Sequence, residues 1–200
     1  MYRKMVGPGH EAILELGCNE GDLTNALRQQ AKMVFGSDIS LRYLRTATQR
    51  EGIENHEKTL SQRIAFVQMH AAEIAFGDRS FDFVVSTSMI EHLLPQDIQP
   101  HFREVRRVLK QGGKYLLWCP NRLGHHGDRD VHLSMFSYRE MMGELRQAGF
   151  GDMQSMLFNR TPFYVDAKWK AWIEDFLVRW QIPILWSHLG VRNILVLAQK

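Results

Sequence analysis

With 200 residues, 23.3 kDa, 44% hydrophobic and 24% charged composition, the chain suits one globular domain with a real core, which excludes intrinsic disorder. The formal charge of +3 is too small to argue for a nucleic-acid partner, and the excess sits in 159–200, where six basic residues meet three acidic ones. Cys18 and Cys119 cannot staple a fold, no apolar signal region precedes Gly7-Pro8-Gly9, and no window reaches ~18 uninterrupted apolar residues, so the expectation is a cytoplasmic protein without a spanning helix.

In chain order, Ala12–Leu16 reads as a short buried strand ending at Gly17, and Asp22–Gln30 as a helix with Leu23, Ala26 and Leu27 on one face. Met33–Asp38 is the second strand, and 40–50 the second helix, closing at Gly52. Strands follow at Arg63–Met69 and Phe81–Ser86, then a helix over 97–109 that Gly112-Gly113 stops. Lys114–Cys119 is a fifth strand that Pro120 terminates. Ser137 and Glu140 have capping-box spacing for a helix ending at Gly149. Strands alternating with helices predict right-handed crossovers and a mostly parallel sheet, class α/β. Asn193–Ala198 reads as a last strand. Between the late strands, 160–192 is predicted to be an aromatic-rich helical insertion on a single domain spanning 1–200. In it, Trp169, Trp172, Ile173, Phe176, Leu177 and Trp180 share a helix face.

In open parallel sheets, ligands bind beyond the carboxyl ends of the strands, so the loops there carry the chemistry. The first is Glu15-Leu16-Gly17-Cys18-Asn19-Glu20-Gly21. Gly17 and Gly21 permit positive φ, and Asn19 tolerates it. The dinucleotide fingerprint fails, because Asn19 and Asp22 stand where glycines are needed, and no phosphate-loop Gly-Lys-Ser/Thr follows. An acidic opening residue suits a ligand carrying an ammonium or sulfonium. Asp38, ending the second strand, can accept hydrogen bonds from both hydroxyls of a ribose. Cys18 reads as a small apolar wall.

The ordered blocks ILELGCNEG, SDIS, IAFVQMHAAEIAF, SFDFVVSTSMIEHL, RRVLKQGGKYLLWCPN and HLSMFSYREMMGELRQAGF resemble the class I S-adenosylmethionine-dependent methyltransferases over about residues 12–150. Within that family the chain looks most like the small-molecule group of ubiquinone-pathway and sugar methyltransferases. The resemblance implies a Rossmann-like three-layer α/β/α sandwich, with a seven-stranded, mostly parallel sheet and an antiparallel last strand. It implies S-adenosyl-L-methionine as cofactor, with Glu15, Gly17 and Gly21 at its methionine end and Cys18 and Asn19 in the same loop. Asp38 would hold the ribose and Ile39 the adenine. Ser86 would stand at the pocket end of the fourth strand. Where the family has an Asp for the adenine amino group this chain has His70, with the backbone of Ala71 and Ala72 completing the contact and Glu73 as the alternative acceptor. The family's helix before the first strand has little room in the eleven residues before Ala12.

An acceptor hydroxyl or acidic carbon needs a general base, and histidine is the usual choice near neutral pH. His132 and His92 are the candidates, each with a purely structural alternative. His125, His126, Asp128 and Asp130 form either a metal-binding set or a solvated substrate loop. No metal is expected, since Ser86-Thr87-Ser88 occupies the place of the acidic ligand in metal-dependent catechol-type relatives. The Trp169–Trp180 stripe packs on the sheet, covers an apolar acceptor, or makes peripheral membrane contact through Lys168, Lys170 and Arg179. The function expected is methyl transfer to oxygen or nitrogen of a small molecule, apolar or lipid-linked on the strength of those aromatics. Nucleic acid is disfavoured as a partner. The rivals are a non-catalytic cofactor-binding module or partner subunit, and a nucleotide-linked oxidoreductase.

Overall fold

A computed structural model of the chain describes residues 2–54, 63–122, 131–158 and 193–200. Its elements are α1 (Tyr2–Val6), β1 (His10–Leu16), α2 (Asp22–Leu27), β2 (Ala31–Asp38), α3 (Leu41–Glu54), β3 (Ile64–Gln68), β4 (Phe81–Thr87), α4 (Ile98–Val108), β5 (Leu109–Pro120), α5 (Tyr138–Gln147), β6 (Gly151–Phe158) and β7 (Asn193–Gln199). The seven strands form one sheet in the order β3-β2-β1-β4-β5-β7-β6. β1 to β5 pair in parallel, and β7 enters antiparallel between β5 and β6. This is the Rossmann-like α/β architecture the sequence predicts. The order reverses between β2-β1 and β4, which places a crevice at the carboxyl ends of β1 and β4.

The central strands are buried on both faces, so their side chains alternate between two apolar layers. Leu14, Leu16, Val84, Tyr115, Leu117 and Val196 face one layer with Phe102 and Val105 of α4 and Met141 and Leu145 of α5. Ile13, Phe83, Val85, Leu116 and Leu195 face the other, with Leu27 of α2 and Val6 of α1. Among the described residues, no helix is long and apolar enough to cross a membrane.

Several boundaries differ from expectation for local reasons. Gly112-Gly113 does not stop α4. That helix ends at Val108, and the glycines lie inside β5, where pairing jumps from Phe81↔Leu109 to Phe83↔Lys114. Leu109 is fully buried, so core burial pulls the chain into the sheet before the glycines, which then form the bulge. α3 runs through Gly52 to Glu54. α2 closes at Leu27 because β2 already begins at Ala31, paired with His10. A five-residue helix does precede β1. Val6 packs it with Leu27 and Ala31, and none of its residues lines the cavity described below. The capping box at Ser137 forms as read, with Ser137 and Glu140 bonded reciprocally. The aromatic stretch 160–192 and the run 125–130 lie outside the described residues.

Candidate active site

The loop after β1 crosses to β2 at once. The amides of Gly17 and Cys18 both donate to the Ser37 carbonyl at 2.8 Å. Gly17 holds φ 74, and a Cβ there would lie 2.5 Å from the Met89 side chain. Asn19 takes the left-handed conformation at φ 50, and its amide donates to Asp38 Oδ2 at 3.0 Å. Asp38 Oδ1 accepts from the Ser40 amide at 2.8 Å. One carboxylate therefore ties the first glycine loop to the start of α3. A carboxylate offers about four lone-pair positions, so two remain for a ligand.

These groups border a cavity of about 400 Å³ at the topological switch. Gly17, Asn19, Asp38, Ile39, His70, Ala71 and His92 of the predicted site line it. Glu15 lies beneath the loop instead. It is 2% exposed, its carboxyl bonds the Thr24 hydroxyl, and burial pushes its pKa up to about 8. Gly21, at φ 84, caps α2 against the Phe66 ring. Cys18 is buried, and burial pushes its thiol well up. Ser86 is buried and bonds the Tyr115 hydroxyl at 2.6 Å.

The loop after β3 shows its own bonding. His70 Nδ1 accepts from the Ala72 amide at 3.3 Å, which puts a neutral ring's proton on Nε2, 3.9 Å from Asp97 Oδ2. His70 Nδ1 and the Ala72 amide are thus engaged with each other, while Nε2 stands beyond hydrogen-bond distance of Asp97. His101 supports this loop from below. Its Nδ1 meets the Ala71 carbonyl at 2.8 Å and its Nε2 the Tyr115 hydroxyl at 3.0 Å. Complete burial pushes the His101 pKa down to about 4, so the ring is neutral and carries one proton. The carbonyl requires that proton on Nδ1, so Tyr115 donates to Nε2 and Ser86 donates to Tyr115.

After β4, Ser88 takes φ 48 and a 3-10 turn follows over Ile90–His92. Exposed His92 lines the cavity, and its Nδ1 lies 2.9 Å from the Val131 carbonyl. Nδ1 is therefore the donor, and Nε2 keeps its lone pair. The His132 ring stands 5.3 Å away, so the two predicted base candidates are brought together. Glu91 is buried, and burial pushes its pKa up to about 7.

A methyltransferase-domain family profile matches residues 14–117, more than half of the chain. The chain belongs to the class I S-adenosylmethionine-dependent methyltransferases. A probable S-adenosylmethionine-dependent methyltransferase of Mycobacterium tuberculosis is 32% identical over 146 residues, covering 70% of this chain and 49% of that protein. A demethylmenaquinone methyltransferase of Porphyromonas gingivalis is 29% identical over 118 residues, covering 57% and 46%. A putative methyltransferase of Bacillus halodurans shares the fold, with a TM-score of 0.68 at 20% identity over 100% of this chain and 96% of that one. The chain spans about half the length of the curated relatives it matches.

S-adenosylmethionine is the cofactor of class I methyltransferases, and this member's residues fit it. The tight approach at Gly17, which a Cβ would fill, and the two spare lone-pair positions of Asp38 make a cradle for a nucleoside. Sequence reasoning missed Tyr43, Met69, Ser88, Met89 and Leu93 on the cavity wall. Position after a strand was the one signal available for most of them. Nothing in their residue type separates a wall from a core.

Proposed function

We propose that this protein transfers a methyl group from S-adenosylmethionine to an oxygen or nitrogen of a small, largely apolar acceptor. The observation that carries the reading is the Asp38 carboxylate, anchored to the glycine loop and facing a cavity at the switch point. Asp38 would hold the ribose, the Gly17–Asn19 backbone the methionine end, and Ile39, Tyr43 and the His70–Ala71 stretch the adenine. When bound, the cofactor supplies a methyl group on a sulfonium, which moves to the acceptor while the C–S electron pair stays on sulfur.

The protein's own part is positioning and proton removal. The His92 Nε2 lone pair can take the acceptor's proton. The bond from Nδ1 to the Val131 carbonyl fixes the tautomer and stabilises the imidazolium that results. His132 would hold the acceptor beside it. The apolar character of the acceptor rests on exposed hydrophobics, of which Ile39 and Tyr43 line the cavity. Ile39, Leu41, Tyr43, Leu94, Val131 and Leu133 are the large exposed hydrophobics among the described residues, and all lie in segments following strands. The relative that acts on demethylmenaquinone points the same way.

Calorimetry with S-adenosylhomocysteine, then turnover against hydroxylated and aminated aromatic compounds including long-chain quinols, tests the proposal. Asp38→Ala should weaken S-adenosylhomocysteine about 100-fold, the loss of two charge-assisted hydrogen bonds. His92→Ala should lower kcat on a hydroxyl acceptor by ~10²–10⁴ while leaving that affinity within a few-fold. Tight binding with no turnover on any acceptor would make the protein a binding module instead.

A further inference from the structure

Ser86-Thr87-Ser88 deprives the end of β4 of an acidic ligand, but the fold assembles a different donor set just beyond it. Glu91 and His92 lie in the 3-10 turn after β4, and His132 comes from the segment that leads into α5. One carboxylate oxygen and one nitrogen from each imidazole lie within 4.8 Å of one another. Glu91 is 2% exposed, and its buried Oε2 has no hydrogen-bond partner. Such an oxygen is costly unless something cationic or protic meets it. His92, in turn, spends Nδ1 on the Val131 carbonyl. That arrangement fixes the ring of a metal-binding histidine and turns its Nε2 lone pair outward. The two segments are also stitched directly, since the Ser134 amide donates to the Glu91 carbonyl at 3.0 Å and the Ser134 hydroxyl to the Leu93 carbonyl at 2.8 Å.

We infer that Glu91, His92 and His132 form a binding site for a first-row divalent cation such as Zn²⁺ at the edge of the cofactor cavity. Two imidazoles and one carboxylate suit Zn²⁺ and its neighbours, whereas Mg²⁺ and Ca²⁺ take oxygen ligands. Ligand atoms around a tetrahedral Zn²⁺ at ~2.1 Å stand about 3.4 Å apart, so donor atoms that lie within 4.8 Å of one another draw in by at most about 1.4 Å on binding. Three protein ligands leave a fourth position open for a water or an acceptor hydroxyl, and one of the three, His92, lines the cavity. A hydroxyl coordinated there loses its proton more readily, which replaces proton uptake by a free imidazole. The inference stands on these three side chains and not on the methyl-transfer reading.

The test is titration of chelator-treated protein with Co²⁺, read by visible ligand-field absorption, with Zn²⁺ calorimetry in parallel. One Co²⁺ per chain, displaced by Zn²⁺, is expected. Glu91→Gln keeps the buried shape, and half-buried His132→Ala spares the core. Each should weaken binding at least about tenfold, the loss that even outer partners of metal ligands cause. No saturable binding, or binding that both variants retain unchanged, overturns the site. S-adenosylhomocysteine calorimetry on the same samples keeps the two readings apart. Co²⁺ uptake without nucleoside binding sinks the methyltransferase reading alone, and nucleoside binding without Co²⁺ uptake sinks the metal site alone.

Discussion

Gly17 concentrates two constraints on one residue. Its φ of 74 costs any L side chain ~1–2 kcal/mol, and a Cβ would meet Met89 at 2.5 Å. Gly17→Ala should therefore lower unfolding stability by about 2–4 kcal/mol in urea titrations, adding a typical overpacking cost to the backbone strain. Pairing it with Met89→Ala should recover the steric share and leave the backbone share. Full additivity of the two substitutions would show that the side chains never meet. Gly36 is constrained in a similar way, since a Cβ there would meet the Thr24 hydroxyl at 2.6 Å. That hydroxyl also bonds Glu15, so the loop's shape is set from beneath as well as from the cavity.

The chain from Ser86 through Tyr115 and His101 to the Ala71 carbonyl joins β4, β5, α4 and the loop after β3. Ser86, Tyr115 and His101 are buried, so each depends on its neighbour for a partner. Tyr115→Phe would strand the His101 Nε2 lone pair and the Ser86 hydroxyl, and should cost about 1–3 kcal/mol per group left unpaired, read by urea denaturation. Because Ala71 lines the cavity, His101 acts on the pocket wall as a positioning residue through the Ala71 carbonyl, on the adenine side in the proposed cofactor pose. The same variant should weaken S-adenosylhomocysteine while leaving the pH dependence of turnover unchanged. At α5, loss of the Ser137 cap in Ser137→Ala should lower stability by about 1 kcal/mol, visible as a drop in Tm.

Across the whole molecule, buried titratable groups oppose one another in pH. The Glu15 pKa rises from the ordinary carboxylate value to about 8, so between roughly pH 4.5 and 8 the native state holds a proton that the unfolded chain releases. Stability from this group is therefore lost as pH climbs through that window. His101, held down near 4, acts in the other direction, and stability falls as pH drops from about 6.5 toward 4. Comparing wild type with Glu15→Gln isolates the first effect. The wild type should lose a few kcal/mol relative to the variant between pH 5 and 8 in urea titrations, and parallel curves would place Glu15 outside the buried position it occupies.

The local pattern of residues determined the class of this protein. The buried strand β1, the positive φ at Gly17, Asn19 and Gly21, the acidic end of β2 and the Ser137 cap were all legible, because each follows from nearest neighbours in the chain. The helix limits at Val108 and Glu54 were not legible, because burial of Leu109 overrode the glycine signal in one case and α3 carried on through Gly52 in the other. The contacts that define the site depended on tertiary structure in the same way. Glu15 sank beneath its loop, His101 reached the Ala71 carbonyl, and His92 met His132 across forty residues of sequence. A side chain's partners at such separations are chosen by how the sheet closes, and no spacing along the chain encodes that.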